Sequence, residues 1–182
     1  MTRLVAGLAG GRVLAAPAGR HTRPTAGRIR EALFSSLGDL RGARVLDLYA
    51  GSGAVGLEAL SRGALTAVLV ESDPRALQTL RANVAAVGLP GARVVAASVS
   101  RLLSGPRGDL PGPFEVAFLD PPYTDPVAEA LELLLAGGWL APGAGVVVER
   151  AARDAPLTWP EGLSAERSRR YGDTCLWYGR RS

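Results

Sequence analysis

The sequence predicts an α/β fold in which helices cover both faces of a mostly parallel sheet. From about residue 43 onward, short apolar runs alternate with segments of helical periodicity, which is the pattern of successive β-α-β units. Hydrophobic residues make up 47% of the 182 residues and charged residues 21%, so a domain with a sizeable core is expected. The first 38 residues lack this alternation and are predicted to form a small extension.

The N-terminal extension, residues 1–38, is predicted to contain a β-hairpin followed by one helix. Two apolar runs flank Gly10 and Gly11, and a glycine pair between such runs is typical of a hairpin turn. Residues 18–25 are a predicted loop, and Thr25 is the expected N-cap of a helix that Gly38 ends. The apolar stripe of this helix recurs at every fourth residue, namely Ile29, Leu33 and Leu37.

Residues 39–182 are predicted to form the main domain. Five apolar runs have the length of buried strands: residues 44–48, 67–71, 92–97, 114–119 and 145–149. Helical periodicity is found between them, at residues 55–61, 74–87 and 127–136. Residues 164–170 and 174–178 flank a Tyr-Gly-Asp segment, and we expect them to close the sheet as an antiparallel hairpin.

Composition and charge exclude several classes of function. Cys175 is the single cysteine and His21 the single histidine, so an internal disulfide is excluded and no metal site is predicted. No apolar run reaches the roughly 18 residues of a membrane span, and we expect a protein of the reducing cytoplasm. All 21 basic residues are arginines. Residues 1–30 hold six of them and no acidic residue, and residues 150–182 hold seven against four acids, which indicates a polyanionic partner.

A glycine-rich loop follows the first strand of the main domain. The segment from Asp47 to Gly56 contains the pattern G-x-G-x-x-G, and Glu71 ends the next strand. Glycine lets the backbone approach a ligand closely, and a carboxylate at the second strand suits ribose hydroxyls, so a nucleoside cofactor is predicted. Asp47 would repel a pyrophosphate, which favours the cationic S-adenosylmethionine over a dinucleotide. In the alternative interpretation, Asp47 only caps the following turn.

The fourth strand leads into the segment Asp120-Pro121-Pro122-Tyr123, at the edge where open α/β sheets bind ligands. Prolines fix the backbone and lack amide donors, so the carbonyl groups here are left as acceptors. Such a rigid corner suits an exocyclic amine on a flat base, with Asp120 accepting its hydrogens and Tyr123 stacking on the ring. A proline turn with ordinary packing is the structural alternative.

The chain resembles a known family at these motifs and at several others. Asp-Pro-Pro-Tyr after an Asp-x-x-x-Gly-x-Gly loop is typical of S-adenosylmethionine-dependent amino-methyltransferases. Further blocks occur in the order found in the RsmD family of bacterial 16S ribosomal RNA guanine-N2 methyltransferases: Gly11-Arg-x-Leu14, Thr22-Arg-Pro-Thr25, Arg28-x-Arg-Glu-Ala-Leu-Phe34, Val45-Leu-Asp-Leu-Tyr-Ala-Gly-Ser-Gly53, Glu58-Ala-Leu-Ser-Arg-Gly-Ala64 and Gly138-Trp-Leu140. The resemblance extends from about Arg3 to Tyr178 and implies a Rossmann-like class I methyltransferase fold with a seven-stranded sheet.

The resemblance also implies the activity and its residues. It implies methyl transfer from S-adenosylmethionine to the N2 amine of a guanine in 16S rRNA, within the small ribosomal subunit or its assembly intermediate, and a monomer is expected. The implied cofactor residues are Asp47, Ala50, Gly51 and Gly53 at the methionine part, Glu71 at the ribose and Ser98 near the adenine. The implied catalytic residues are Asp120, Pro121, Pro122 and Tyr123, and the implied RNA contacts are Arg12, Arg20, Arg23, Arg28 and Arg30.

Three other functions stay open at this point. Adenine-N6 methylation of DNA shares the Asp-Pro-Pro-Tyr motif, although the chain shows no separate domain for reading a DNA sequence. An oxidoreductase would use the glycine loop but leave Asp-Pro-Pro-Tyr unexplained. A non-catalytic RNA-binding assembly factor would keep both motifs for structural reasons only.

Overall fold

The computed structural model describes residues 2–17, 25–122 and 126–182. Along the chain, its helices and strands are β1 Thr2–Arg3, β2 Val13–Leu14, α1 Thr25–Leu37, β3 Arg44–Leu48, α2 Ala54–Ser61, β4 Thr66–Glu71, α3 Pro74–Val87, β5 Ala92–Ala96, α4 Val99–Ser104, β6 Phe114–Leu119, α5 Val127–Ala136, β7 Leu140–Ala151, β8 Leu163–Tyr171 and β9 Thr174–Arg181. In this described part of the chain, no helix combines the length and the apolar character needed to cross a membrane.

The main sheet has seven strands in the order β5-β4-β3-β6-β7-β9-β8. The first five of these are parallel, and β9 pairs antiparallel with both β7 and β8. The predicted α/β class, the mostly parallel sheet and the closing hairpin are therefore confirmed. Because β6 lies beside β3 although five other elements intervene in the chain, the strand order reverses at this pair, which is where such folds bind ligands.

The central strands carry apolar residues on both faces of the sheet, so each face is covered by helices. Leu46 and Leu119 face one side, where they pack in a buried cluster with residues of α4 and α5. Val45 and Phe118 face the opposite side, where α1 contributes Leu33 to a second cluster. The apolar face of the N-terminal helix is thus buried against the centre of the sheet.

Most predicted elements agree with the observed ones to within a residue, and three differ for identifiable reasons. Strand β7 begins five residues earlier than predicted, because Leu140 pairs with Phe114 across an irregularity in the register. Helix α4 has only six residues, too few to give a periodic signal. The N-terminal strands are two residues each, and the intervening segment forms several turns rather than one tight hairpin turn.

The N-terminal extension is joined to the main domain by shared apolar and polar contacts. Leu4 and Leu14 are buried in a third cluster together with residues of α2 and α3. The carboxylate of Glu58 on α2, which is 0% exposed, accepts hydrogen bonds from the backbone N–H groups of Val5 (2.7 Å) and Ala6 (3.0 Å). The domain boundary at residue 38 stays a prediction. In the structure, residues from both sides of this boundary are buried in the same apolar clusters.

Candidate active site

A cavity of about 890 Å³ opens at the carboxyl ends of β3, β6 and β7. Its lining includes Asp47 and the glycine loop after β3, as well as the Asp120-Pro121-Pro122 corner after β6. The two motifs that the sequence analysis singled out are therefore neighbours in space. This follows from the topology, because β3 and β6 are hydrogen-bonded parallel strands whose carboxyl ends lie at the same edge.

The glycine loop is a tight turn that leads directly into α2. Gly51 has φ 57° and Gly53 has φ 81°, conformations that glycine adopts without a steric cost. A Cβ atom added at Gly53 would also lie only 2.5 Å from Cδ1 of Leu80, so packing requires glycine there as well. The N-cap residue of α2 is Gly53, which has no side chain to cap the helix, and the first helical residues Ala54 and Val55 line the cavity, which suits an anionic group such as a carboxylate.

Asp47 is buried at the end of β3, with 1% of its surface exposed. Its Oδ2 accepts a hydrogen bond of 2.9 Å from the backbone N–H of Gly56. The pKa of Asp47 is raised to about 7, mainly because of burial; the negative charges of Asp120 and Glu71 contribute to the rise, and the Gly56 hydrogen bond opposes it. Asp47 therefore makes the turn-capping contact that was the structural alternative and also lines the cavity. A cationic ligand would relieve the repulsion among the three carboxylates.

Glu71 holds the glycine loop from the end of the adjacent strand. Its Oε2 accepts a hydrogen bond of 2.9 Å from the N–H of Gly51, and its Oε1 accepts hydrogen bonds from the N–H groups of Ser72 (2.8 Å) and Asp73 (2.9 Å). The side chain is thus fixed in one orientation beside the loop. The implied contact with a ribose stays a prediction.

Ser98 begins helix α4 and is exposed to solvent. Its Oγ accepts a hydrogen bond of 3.3 Å from the N–H of Arg101, so the hydroxyl serves as the N-cap of this helix. Ser98 is absent from the lining of the cavity, and its implied contact with the adenine stays a prediction. Ala50, by contrast, lines the cavity together with Gly51.

The corner after β6 presents a carboxylate and two residues without amide donors to the cavity. Asp120 is exposed at its mouth, and its charge acts on Asp47, which shows that the two carboxylates are near one another. Pro121 and Pro122 also line the cavity. Tyr123, the predicted stacking residue, lies outside the described residues.

The sequence analysis missed one wall of the cavity, which comes from the end of β7 and the turn between β8 and β9. This wall carries acidic and basic side chains: Glu149, Arg150, Arg153, Asp154, Arg170 and Asp173. Within it, Nε of Arg150 lies 3.5 Å from Oδ2 of Asp154. The position of Glu149 at the end of the strand beside β6 was the available signal, because the same edge rule applies to it.

A second missed residue, Asn83 on α3, joins the N-terminal extension to the glycine loop. Its side chain is buried, with 3% exposed, and bonds the backbone of Ala15 twice: Oδ1 accepts from the N–H (2.9 Å) and Nδ2 donates to the carbonyl (3.0 Å). Nδ2 also donates to the carbonyl of Ser52 at 2.8 Å. Both Ser52 and Pro17, two residues after Ala15, line the cavity. No local sequence pattern marks such a bridge.

The predicted RNA-contacting arginines have different surroundings. Arg20 and Arg23 lie outside the described residues, as does His21. Arg28 is exposed on α1 and makes no side-chain hydrogen bond or ion pair with a described residue. Arg12 is exposed, and its guanidinium donates to the carbonyls of Ala86 (2.9 Å) and Val87 (3.2 Å) at the end of α3.

Arg30 is less exposed than the other described arginines of this set. Only 5% of this residue is exposed, and its guanidinium donates to the hydroxyl of Thr2 (3.2 Å) and to the carbonyl of Arg3. Its Nε lies 3.7 Å from Oε2 of the buried Glu58. Arg30 therefore joins α1 to β1 and α2 inside the fold, and it also lines the cavity. Its implied contact with RNA stays a prediction.

Among residues 2–17, 25–122 and 126–182, no group of three histidine, cysteine, aspartate or glutamate side chains is arranged to hold a metal ion. The single cysteine, Cys175, is buried in β9, and burial raises the pKa of its thiol. The chemistry supported by the described part of the cavity is therefore that of carboxylates, backbone carbonyls and guanidinium groups.

Known proteins are similar to this chain over most of its length. The family described as "Conserved hypothetical protein 95" matches residues 2–180. The chain is 38% identical to "Ribosomal RNA small subunit methyltransferase D" of Escherichia coli strain K12, over 92% of this chain and 83% of that protein. It is 37% identical to the protein of the same name from Haemophilus influenzae, over 87% of this chain and 83% of that one.

A solved structure is similar to this chain in fold as well as in sequence. The structure named "Putative methyltransferase yhhF from Escherichia coli" superposes with a TM-score of 0.86 at 34% identity, covering 98% of this chain and 97% of that one. One explanation accounts for these similarities over nearly the full length, for the glycine loop after β3 and for the acceptor corner, the Asp120-Pro121-Pro122 segment after β6. The chain belongs to the RsmD family of ribosomal RNA small subunit methyltransferases, with a Rossmann-like methyltransferase fold.

Proposed function

We propose that this chain transfers a methyl group from S-adenosylmethionine to the exocyclic N2 amine of a guanine in 16S rRNA of the small ribosomal subunit. The observation that carries the proposal is the single cavity that joins Asp47 and the glycine loop to the Asp120-Pro121-Pro122 corner. A cationic cofactor suits the first part of this cavity, and an amine-bearing base suits the second.

The cofactor part of the cavity fits S-adenosylmethionine by its chemistry. Asp47 is a buried carboxylate near two further negative charges, which favours a ligand that carries an ammonium and a sulfonium. Asp47, Ala50, Gly51 and Gly53 hold the methionine part, and the first two residues of α2, whose N-cap Gly53 has no side chain, suit its carboxylate. In addition, Glu71 accepts hydrogen bonds from the ribose hydroxyls, and Ser98 lies toward the adenine. When bound, the cofactor supplies a methyl group that is already activated on a sulfonium.

The acceptor corner orients the target amine. The lone pair of the guanine N2 amine is conjugated with the ring, which makes this nitrogen a weak nucleophile. The Asp120 carboxylate and the Pro121 carbonyl accept its two hydrogens, hold the nitrogen pyramidal and direct the lone pair toward the methyl group. Asp120 also stabilises the positive charge that develops on the nitrogen and accepts its proton. Pro122 keeps the corner rigid, and Tyr123 stacks on the base.

The partner is proposed to be 16S rRNA within the small subunit or its assembly intermediate, bound by a monomer in the cytoplasm, where this substrate is assembled. Arg12, Arg20, Arg23 and Arg28 contact RNA phosphates on the N-terminal side of the cavity. The names of the similar proteins support a ribosomal RNA substrate. A guanine presented in a loop would have to leave its stack to enter the cavity.

The test is methyl transfer from labelled S-adenosylmethionine to three substrates in parallel: small subunits lacking the modification, free 16S RNA and DNA. Label recovered as N2-methylguanosine from ribosomal RNA is the expected result. Label in DNA adenine would replace the proposal by the DNA methyltransferase, and cofactor binding without transfer to any substrate would favour the assembly factor.

A further inference from the structure

Strand β8 is an exposed edge strand with an unusual surface. It is the last strand of the seven-stranded sheet, and every residue from Ser164 to Arg170 is exposed, so solvent reaches both faces of the strand. Strands β3, β4 and β6 near the centre are buried along nearly their whole length. The edge strand contributes little to the core, and its side chains are available to a partner.

The charge of this strand is mainly basic. It carries Arg167, Arg169 and Arg170, and its one acidic residue, Glu166, is paired with Arg180 of β9 at 2.5 Å. The Arg169 guanidinium makes no hydrogen bond or ion pair with any residue that the structure describes. Within the described part of the chain, Arg170 donates only through Nε, to the carbonyl of Gly172 at 2.9 Å. Both side chains therefore keep donors for an anionic ligand.

The basic end of β8 lies at the cavity. Strand β8 is antiparallel to β9, which is antiparallel to β7, so the C-terminal end of β8 lies at the same sheet edge as Asp120. Arg170 itself lines the cavity, as does Arg153 after β7. Helix α1 borders the cavity through Ile29, and the preceding Arg28 is exposed. Arginines thus surround the side of the cavity opposite the glycine loop.

Helix α1 and strand β8 are also in direct contact. Arg167 donates to the carbonyl of Ser36 at 3.3 Å, and its guanidinium lies 4.6 Å from the centre of the Tyr178 ring. Arg169 faces the same side of the sheet, because its cross-strand neighbour Leu176 shares a cluster with Tyr178. Arg167 and Arg169 are about 7 Å apart along the strand. The α1 side of β8 therefore presents Arg167, which Ser36 and Tyr178 hold in place, and Arg169, which keeps its donors.

Charges on an edge strand can also serve to prevent pairing with another sheet. That role is served by charge of either sign, whereas three of the four charged residues of β8 are arginines. The cavity wall itself is balanced, with the carboxylates of Glu149, Asp154 and Asp173 against Arg150, Arg153 and Arg170, so the excess of positive charge lies on β8. The arrangement favours a polyanion that passes along β8 and places one of its bases in the cavity.

We propose that β8, through Arg169 and Arg170 together with Arg28 of α1, binds the phosphates of the RNA strand that flanks the target base. This inference rests on the proposed function and deepens it, since it adds β8 to the RNA contacts proposed for Arg28 and the other N-terminal arginines. Guanidinium groups suit this task because each can donate two hydrogen bonds to one phosphate.

The test compares two double variants. Arg169→Gln with Arg170→Gln removes two charges beside the cavity, whereas Arg93→Gln with Arg101→Gln removes two exposed charges that do not line the cavity and have no side-chain partner among the described residues. Filter binding of labelled 16S RNA is measured over a salt series. The β8 variant is expected to bind about tenfold more weakly, with a slope of log affinity against log salt that is smaller by about 1.5. The control variant is expected to stay within twofold of the wild type.

Further measurements separate the outcomes. Affinity for S-adenosylmethionine is expected to be unchanged in both variants, and Arg169→Lys with Arg170→Lys, which keeps the charge, is expected to recover most of the RNA affinity. The inference would be overturned if the β8 variant bound RNA as tightly as the wild type, or if both double variants lost the same amount of RNA affinity. A dimer seen by analytical ultracentrifugation that the β8 variant dissociates would assign the strand to a second copy instead. Failure of the proposed function is distinct, since it is seen as absence of methyl transfer by the wild type.

Discussion

The Asp47 carboxylate connects stability and binding at the scale of one residue. Its burial near Asp120 and Glu71 raises its pKa to about 7, well above the value of an aspartate in an unfolded chain. Between about pH 4 and pH 7 the folded state therefore binds more protons than the unfolded state, so the free energy of unfolding falls as pH rises through this range. Above pH 7 the contribution of Asp47 to this pH dependence ends.

The first prediction concerns Asp47→Asn, which keeps an acceptor for Gly56 without the charge. In the absence of ligand, the variant is expected to be more stable than the wild type at pH 8, with the difference shrinking toward pH 5. Affinity for S-adenosylmethionine is expected to fall more than tenfold. Urea unfolding at several pH values and calorimetric titration measure the two effects. A difference in stability that is the same at pH 5 and pH 8 would contradict the raised pKa.

The second prediction concerns Asp120→Ala. Loss of the acceptor for the target amine is expected to abolish methyl transfer to ribosomal RNA, while S-adenosylmethionine binds within a few fold of the wild-type affinity. Because the Asp120 charge raises the pKa of Asp47, the variant is also expected to show a lower pKa for Asp47. Single-turnover transfer and ligand titration are the measurements. Loss of cofactor binding in a folded variant would contradict the assigned role.

The third prediction concerns Asn83 as a positioning residue for the glycine loop. Asn83→Ala leaves the polar groups of Ala15 and Ser52 without their partner, so both the loop and the N-terminal segment lose a fixed support. Affinity for S-adenosylmethionine is expected to fall about tenfold, with kcat at saturating cofactor nearly unchanged. As a control, Leu77→Ala on the same helix should lower stability by about 2–5 kcal/mol without this loss of affinity. Equal losses of affinity in both variants would reduce Asn83 to a structural residue.

Residue roles could be predicted from the sequence where a local motif carries them. Asp47 and Asp120 lie at the ends of apolar runs. Because the carboxyl ends of parallel strands lie at the same edge of a sheet, this was enough to predict that the two residues are close together. The burial of Arg30 was not predicted, because the distribution of charge along the chain does not show that a guanidinium will lie beside the buried Glu58. Asn83 was missed for a related reason: its partners are the backbone groups of residues distant in sequence, and these have no residue-specific signal.

At the scale of elements, apolar strands and periodic helices were predictable, including the edge strands β5 and β8, whereas very short elements were not. The bounds of β3 and α3 agree with the prediction because buried runs and capping residues mark both ends; Asp73, for example, caps α3. The two-residue strands β1 and β2 are formed by their contacts with α2 and α3, which the sequence does not display. The cavity wall at the end of β7 was missed because it also includes the turn between β8 and β9, and the sequence does not show that this turn lies beside the end of β7.

The fourth prediction concerns how the N-terminal extension is held on α2. Glu58 accepts two backbone hydrogen bonds and pairs with both Arg30 (3.7 Å) and Arg62 (2.8 Å). Glu58→Ala leaves the buried Arg30 without its counter-charge, and the free energy of unfolding is expected to fall by about 3–5 kcal/mol. Glu132→Ala, at an exposed position of α5, is the control and should change it by less than about 0.5 kcal/mol. Similar small changes in both variants, measured by urea unfolding, would contradict this account.

At the scale of the whole molecule, the fifth prediction is that the chain unfolds in one transition. The extension and the main domain share buried clusters, so neither has a complete core without the other. A fluorophore attached through Leu8→Cys, at a position that is 83% exposed, reports on the extension, and tryptophan fluorescence reports on the main domain. Coincident curves are expected. An earlier transition at the label would show that the extension unfolds independently.

The cluster formed by Asp47, Glu71 and Asp120 has a consequence for the abundance of the protein in a cell. The free chain carries a destabilising concentration of negative charge, and a cationic ligand at 100 times its Kd would add about 2.7 kcal/mol of stability. Proteases act mainly on unfolded chains, so differences of this size change steady-state amounts several-fold. Given the proposed cofactor, the lifetime of this protein is expected to follow the cell's supply of methyl donor, with slower degradation when the donor is plentiful.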